Sequence, residues 1–220
     1  MIRLERVNKR WRHRGIETVI ARRLTAEFPT GHCIAIMGRN GTGKSTLLKM
    51  IAGSLDPDSG TIERDCSVSW PIGFGGLFHS QMSGIENVRF IARVYGVETT
   101  ELVEFVEEFA QLGKHYFMPV SSYSSGMRSR LSFGVSMGVP FDTYLLDEVS
   151  SVGDSAFKEK ASALLEDRLK IASAVIVTHS KKLVRRLCDG VAILEKGQIT
   201  MYNDVREGLD VYASLTDPGS

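Results

Sequence analysis

Apolar and polar residues alternate from the first positions of the chain. Ile2, Leu4 and Val7 stand against Arg3, Glu5 and Arg6, which predicts a strand with one wet face. A second strand is expected at about 32–37, running straight into GRNGTGKST, and Thr46–Ala52 predicts a helix stopped by Gly53. Asp56–Gly60 reads as a turn, and residues 69–85, with glycines, aromatics and Pro71 but no period, read as a loop. Leu102, Val103, Phe105, Val106, Phe109 and Leu112 fall on one helical stripe with glutamates off it, ending at Gly113. Helices are expected over about 125–138 and 156–172, and buried strands at Tyr144–Leu146 and Ala174–Val177. A hairpin at 190–195 and 198–202 turns at Lys196-Gly197, and a short helix covers about 205–215. Strands alternating with helices at both ends of the chain argue for an α/β fold with a mainly parallel sheet. The stretch 82–140 reads as a helical subdomain inserted into a core of about 1–81 and 141–220.

Composition narrows the class. Of 220 residues, 43% are hydrophobic and 24% charged, which excludes a disordered or low-complexity chain. Net charge is +1, so bulk charge gives no argument for nucleic acid. Six cations (Arg3, Arg6, Lys9, Arg10, Arg12 and Arg14) face Glu5 alone in the first 15 residues. They form either a solvated basic edge or a contact for lipid headgroups or an acidic partner. Cys33, Cys66 and Cys188 are odd in number and have no C-x-x-C spacing, which argues against a disulfide framework or zinc site and fits a reducing compartment. No apolar stretch follows the N-terminal charges as in a secretory leader, and no apolar run approaches the ~20 residues of a membrane span.

Three motifs carry chemistry. Gly38-Arg39-Asn40-Gly41-Thr42-Gly43-Lys44-Ser45 matches G-x-x-x-x-G-K-[ST] between a strand and a helix, with Thr46 following. Its glycines let backbone N–H groups turn toward phosphate oxygens, and the helix start adds partial positive charge. Lys44, read as an exposed loop lysine, reaches the β- and γ-phosphates, and the Ser45 hydroxyl binds Mg2+. Tyr144-Leu145-Leu146-Asp147-Glu148 is a buried strand ending in two carboxylates at the sheet edge where open α/β sheets bind ligands. Asp147 is the expected magnesium contact and Glu148 the group that polarises attacking water. His179, after Thr178 at the end of another strand, is either a structural cap or a hydrogen-bond donor to the γ-phosphate.

The order phosphate loop, Ser124-Ser125-Gly126-Met127, Asp147-Glu148, Ser151-Val152-Gly153-Asp154, His179 resembles the nucleotide-binding subunit of an ABC transporter over essentially the whole chain. Where the family signature reads L-S-G-G-Q, this chain has Tyr123-Ser124-Ser125-Gly126-Met127. Alone, these residues are a helix N-cap. The run Trp70–Gly76, the stretch Glu86–Arg93, Y-S-S-G-M-R-S-R and D-E-V-x-x-V-G-D are similar to ATPases of bacterial capsular polysaccharide exporters, and O-antigen and teichoic acid exporters share much of this pattern.

The resemblance implies an ABC-type P-loop NTPase fold, with an N-terminal antiparallel β part and ATP and Mg2+ as cofactors. Two copies would sandwich ATP, with Ser124, Ser125, Gly126 and Met127 acting on the ATP of the partner chain and Asp154 in the D-loop. Trp11 occupies the position of an adenine-stacking aromatic, the alternative being an aromatic packed on the sheet. Gln81 is the sole glutamine in 72–81, later than the family's Q-loop glutamine, and is the candidate for its magnesium contact. A separate transmembrane permease should dock near residues 70–95, beside further envelope-spanning components, at the cytoplasmic face of the inner membrane. A soluble ABC ATPase acting on nucleic acid or ribosomes lacks support, since neither a second cassette nor coiled-coil arms are present. A GTPase fails because Asn8-Lys9-Arg10-Trp11 breaks N-K-x-D.

Overall fold

A computed structural model describes residues 1–13, 15–72, 76–147 and 155–216. The chain runs β1 (Ile2–His13), β2 (Ile16–Phe28), β3 (Cys33–Met37), α1 (Lys44–Ile51), β4 (Ser59–Arg64), β5 (Val68–Ile72), α2 (Gly84–Tyr95) and α3 (Thr99–Ala110). After two short 3-10 turns come α4 (Ser125–Gly138), β6 (Thr143–Asp147), α5 (Ser155–Leu169), β7 (Ser173–Val177), α6 (Lys181–Leu187), β8 (Gly190–Glu195), β9 (Gln198–Tyr202) and α7 (Val205–Thr216). Two compact units result: Met1–Pro71 with Phe141–Glu148 and Ile171–Ser220, and Ile72–Pro140 with Val149–Lys170.

In the first unit, among the described residues, β2-β1-β4 form an antiparallel sheet and β5-β6-β7-β3-β8-β9 a second sheet. The β3–β7, β3–β8 and β6–β7 pairs are parallel, and β9 returns antiparallel to β8. Every residue of β3 and β7 is buried, as strands covered on both faces require. On one face Leu47, Leu48, Met50 and Ile51 of α1 share a core with Leu145, Val175 and Val177, and with Ile2, Leu4 and Val7 of the antiparallel sheet. On the other, Leu209 and Tyr212 of α7 and Val184 of α6 cover Ala35, Met37, Val191 and Ile193.

Four elements depart from the expectation drawn from sequence. Strand β2 escapes the alternation rule because its pairing with β1 shifts register between Leu4/Val7, Val7/Lys9 and Lys9/Arg10, with Arg6 of β1 at φ 48° and Arg23 of β2 at φ 47°. Asn8 ties both together, its Oδ1 accepting from Arg23 N at 2.8 Å and its Nδ2 donating to Arg6 O at 3.0 Å. The segment 69–85 is not all loop. Strand β5 tolerates Pro71 because it lies at the sheet edge, where one N–H is not needed, and α2 begins at Gly84. Strand β4 is an almost wholly exposed edge, and α6 is a seven-residue helix carrying four cations; neither shows an apolar period.

In the second unit α3 packs between α2 and α4, and α5 packs on α4. Leu102, Val106, Phe109 and Leu112 of the expected stripe are buried. Phe109 lies against Phe105, Phe133 and Phe157 with ring centroids 5.1–6.0 Å apart. Helix α2 starts with a capping box, in which the Ser83 side chain accepts from Glu86 N and the Glu86 carboxylate accepts from Ser83 N at 2.8 Å. Buried Asn87 secures the preceding turn, accepting from His79 N at 2.8 Å and donating to Ser83 O at 2.9 Å.

Candidate functional site

The loop between β3 and α1 is built by its glycines. Gly43 precedes the first helical residue at φ 98°, and a Cβ there would meet the Ile20 side chain at 2.5 Å. Only glycine satisfies both demands. The loop closes on itself where Thr42 Oγ1 donates to Arg39 O at 2.9 Å, and α1 begins with Leu47 N donating to Gly43 O at 2.8 Å. Lys44 is not the exposed lysine expected from sequence. It is 7% exposed, and its ammonium donates to Gly38 O at 2.9 Å and Arg39 O at 3.0 Å. The reason is position: as the first residue of α1, its stem lies along buried structure while its head bonds the loop's carbonyls. Arg39, Asn40, Gly41 and Ser45 are exposed, and Thr46 is half-buried. A glycine-lined helix start carrying a fixed ammonium is an arrangement suited to phosphate.

Parallel register brings the other residues to the same sheet edge. Strand β7 lies between β6 and β3, with Val177 paired to both Asp147 and Ile36. The loop from Gly38, the half-buried carboxylate of Asp147 and the exposed His179 therefore emerge from neighbouring strand ends. His179 Nδ1 lies 2.7 Å from the Tyr212 hydroxyl of α7. Arg39, Asn40, His179, Tyr212 and Thr216 line one cavity of about 310 Å3. Tyr212 was not legible in the sequence, because no spacing rule links a helix residue to a strand end 33 positions earlier. Among the described residues no group of three His, Cys, Asp or Glu side chains is placed to hold a metal. The oxygens of Ser45 and Asp147 suit a hard cation that completes its shell with phosphate and water.

The remaining candidates belong to other elements. Trp11, on β1, is 47% exposed rather than packed into the sheet, and Lys9 Nζ stands 5.3 Å from its ring centroid. Ser124 caps α4, its Oγ accepting from Met127 N at 3.2 Å; Ser124 and Ser125 are exposed, and Gly126 and Met127 half-buried, in the second unit. Gln81 is exposed in the turn before α2. Glu148 and Asp154 lie outside the described residues.

Four of the six N-terminal cations find acidic partners within the chain: Arg3 with Glu27, Lys9 with Asp58, and Arg10 and Arg12 with Glu17. The Lys9 hydrogen bond holds the Asp58 carboxyl below its usual range. Cys33 and Cys188, distant in sequence, approach to 3.5 Å between sulfurs as free thiols, and this contact pushes the Cys33 thiol up.

Residues 21–151 match the family model described as ABC transporter. The chain is 46% identical to the polysialic acid transport ATP-binding protein KpsT of Escherichia coli, over 99% of this chain and 98% of that protein. It is 40% identical to the capsule polysaccharide export ATP-binding protein CtrD of Neisseria meningitidis serogroup B, over 98% of this chain and 100% of CtrD. Among solved structures, a dimeric ATP-binding cassette in a post-hydrolysis state bound to ADP and Pi superposes with TM-score 0.78 at 19% identity, covering 91% of this chain and 97% of that one. The chain belongs to the ABC transporter family.

Proposed function

We propose that this chain is the ATP-binding and hydrolysing subunit that energises export of capsular polysaccharide through a separate transmembrane permease. The observation that carries the reading is the phosphate loop with Lys44 held inside it, set at one sheet edge with Asp147 and His179. The near end-to-end relatedness to capsule and polysialic acid transport ATPases supports the polymer class. Backbone N–H groups of Gly38–Ser45 bind the phosphates, Lys44 contacts the β- and γ-phosphates, and Trp11 offers a ring face to adenine. Ser45 and Asp147 would hold Mg2+, with Gln81 as a third candidate. Bound magnesium neutralises charge on the β- and γ-phosphates. Glu148 accepts the proton of the attacking water, and His179 donates a hydrogen bond to the γ-phosphate.

Two copies share each site in this reading. The N-terminus of α4, with Ser124, Ser125, Gly126 and Met127, brings backbone N–H groups and partial positive charge to the ATP of the other copy, and Asp154 lies in the connecting D-loop. Among the described residues no helix is long and apolar enough to cross a membrane; in this reading the permease supplies the span. Phe90 and Val94 at helical spacing, with Tyr95, are 60%, 59% and 44% exposed on α2, within the 70–95 segment assigned to permease docking. The subunit is then peripheral, on the cytoplasmic face of the inner membrane.

The test is polymer location in a strain whose own copy of this gene is replaced. Lys44→Ala should leave capsular polymer made but retained inside the cell, whereas the wild-type chain restores it to the surface. Surface polymer at the wild-type level with Lys44→Ala contradicts the proposal.

A further inference from the structure

Helix α7 reaches the site from the far end of the chain. It lies close on β8 because Gly208 faces Val191, where a Cβ would come within 2.6 Å of the valine Cβ. Tyr212, one turn further on, is buried at 5% exposure, yet it lines the same cavity as Arg39 and Asn40 of the phosphate loop. There its hydroxyl stands 2.7 Å from Nδ1 of His179, the rings tilted by 42°.

We infer that Tyr212 is a positioning residue for hydrolysis: its hydroxyl donates to Nδ1 of His179 and keeps the neutral imidazole protonated on Nε2. The inference rests on the reading of His179 as the donor to the γ-phosphate. A phosphate oxygen only accepts, so the ring nitrogen that meets it must carry the proton. A neutral imidazole has one N–H and one lone pair, so Nδ1 must then be the lone pair and needs a donor. The phenol supplies that donor from a buried, packed ring. In the opposite tautomer Nδ1–H bonds the phenol oxygen and Nε2 turns a lone pair on the phosphate. Helix α7 thereby sets the chemistry of a residue 33 positions earlier in the chain.

Tyr212→Phe removes the hydroxyl and keeps the ring, and thermal unfolding checks that the fold is retained. Two readouts are made on the full chain: 15N spectra of histidine-labelled protein, and steady-state ATP hydrolysis with His179→Ala as reference. The wild-type spectrum should show Nδ1 unprotonated and Nε2 protonated, and Tyr212→Phe should mix the tautomers. Loss of one neutral hydrogen bond of ordinary strength should lower kcat about 3–10-fold. KM for ATP should stay within about twofold, since ground-state binding is not the term removed. An Nδ1–H tautomer or a doubly protonated ring in the wild type overturns the inference. So does an unchanged kcat in Tyr212→Phe while His179→Ala is slow. Wild-type turnover in His179→Ala overturns instead the reading of the histidine, whatever the spectrum shows.

Discussion

Lys44 is held inside the phosphate loop by that loop's own carbonyls. Its ammonium donates to Gly38 O and Arg39 O, so the side chain is positioned by the chain itself. This also gives the residue a share in stability that an exposed lysine lacks. Hydrogen bonds to charged groups contribute about 1.5–3 kcal/mol, and removing the buried charge offsets part of that. Lys44→Ala should therefore lower unfolding free energy by at most about 3 kcal/mol, read by urea denaturation, while leaving the chain folded. Trp11 makes the opposite case. With 47% of its surface exposed it contributes little to the core, and its ring remains open to a base. Base stacking contributes roughly 1–3 kcal/mol, so Trp11→Ala should raise the ATP Kd about fivefold, the low end of that range. Titration calorimetry with an unchanged Kd and a lowered Tm would assign Trp11 to packing instead.

At the scale of elements, caps and edges carry what periodicity does not. The hydrogen bond from the Ser83 hydroxyl, more than any other contact, holds the Glu86 carboxyl below the usual range. A depressed folded pKa means that the box stabilises α2 above the ordinary glutamate range and is lost as pH falls through the folded value. The urea midpoints of wild type and Glu86→Ala should thus differ at neutral pH and converge in acid. Ser83→Ala should cost about 1 kcal/mol, as N-cap losses do.

The same distinction explains what could be read in advance. β3, β6, β7 and the β8–β9 hairpin were legible because buried strands write continuous apolar runs or turn at Lys196-Gly197. β2 was not, because register shifts break its phase; nor β5, because Pro71 hid an edge strand; nor α6, because cations obscure its one buried valine. In the site, the phosphate loop, Asp147 and His179 were legible as motifs at strand ends. The Tyr212 contact and the burial of Lys44 arise from tertiary packing, which leaves no mark in local spacing.

At the scale of the whole molecule, the proposed chemistry is divided between two copies. Replacing Glu148 by Gln removes the proposed base and its repulsion against the γ-phosphate. Turnover should fall about 10²–10⁴-fold. Light scattering with ATP should then find twice the mass of one chain, and a monomer hydrolysing at the wild-type rate would place the base elsewhere. The most direct measurement is ATP turnover by Ser124→Arg. This variant keeps its own phosphate loop, Asp147 and His179, so it should bind nucleotide as the wild type does. In the proposed dimer the bulky side chain would keep the cap of α4 from the partner's ATP, and losing one preorganised stabiliser typically costs about 10²–10³ in rate. Intact nucleotide binding with turnover reduced by at least that factor is the expected result; wild-type turnover from Ser124→Arg would contradict a site shared between two copies.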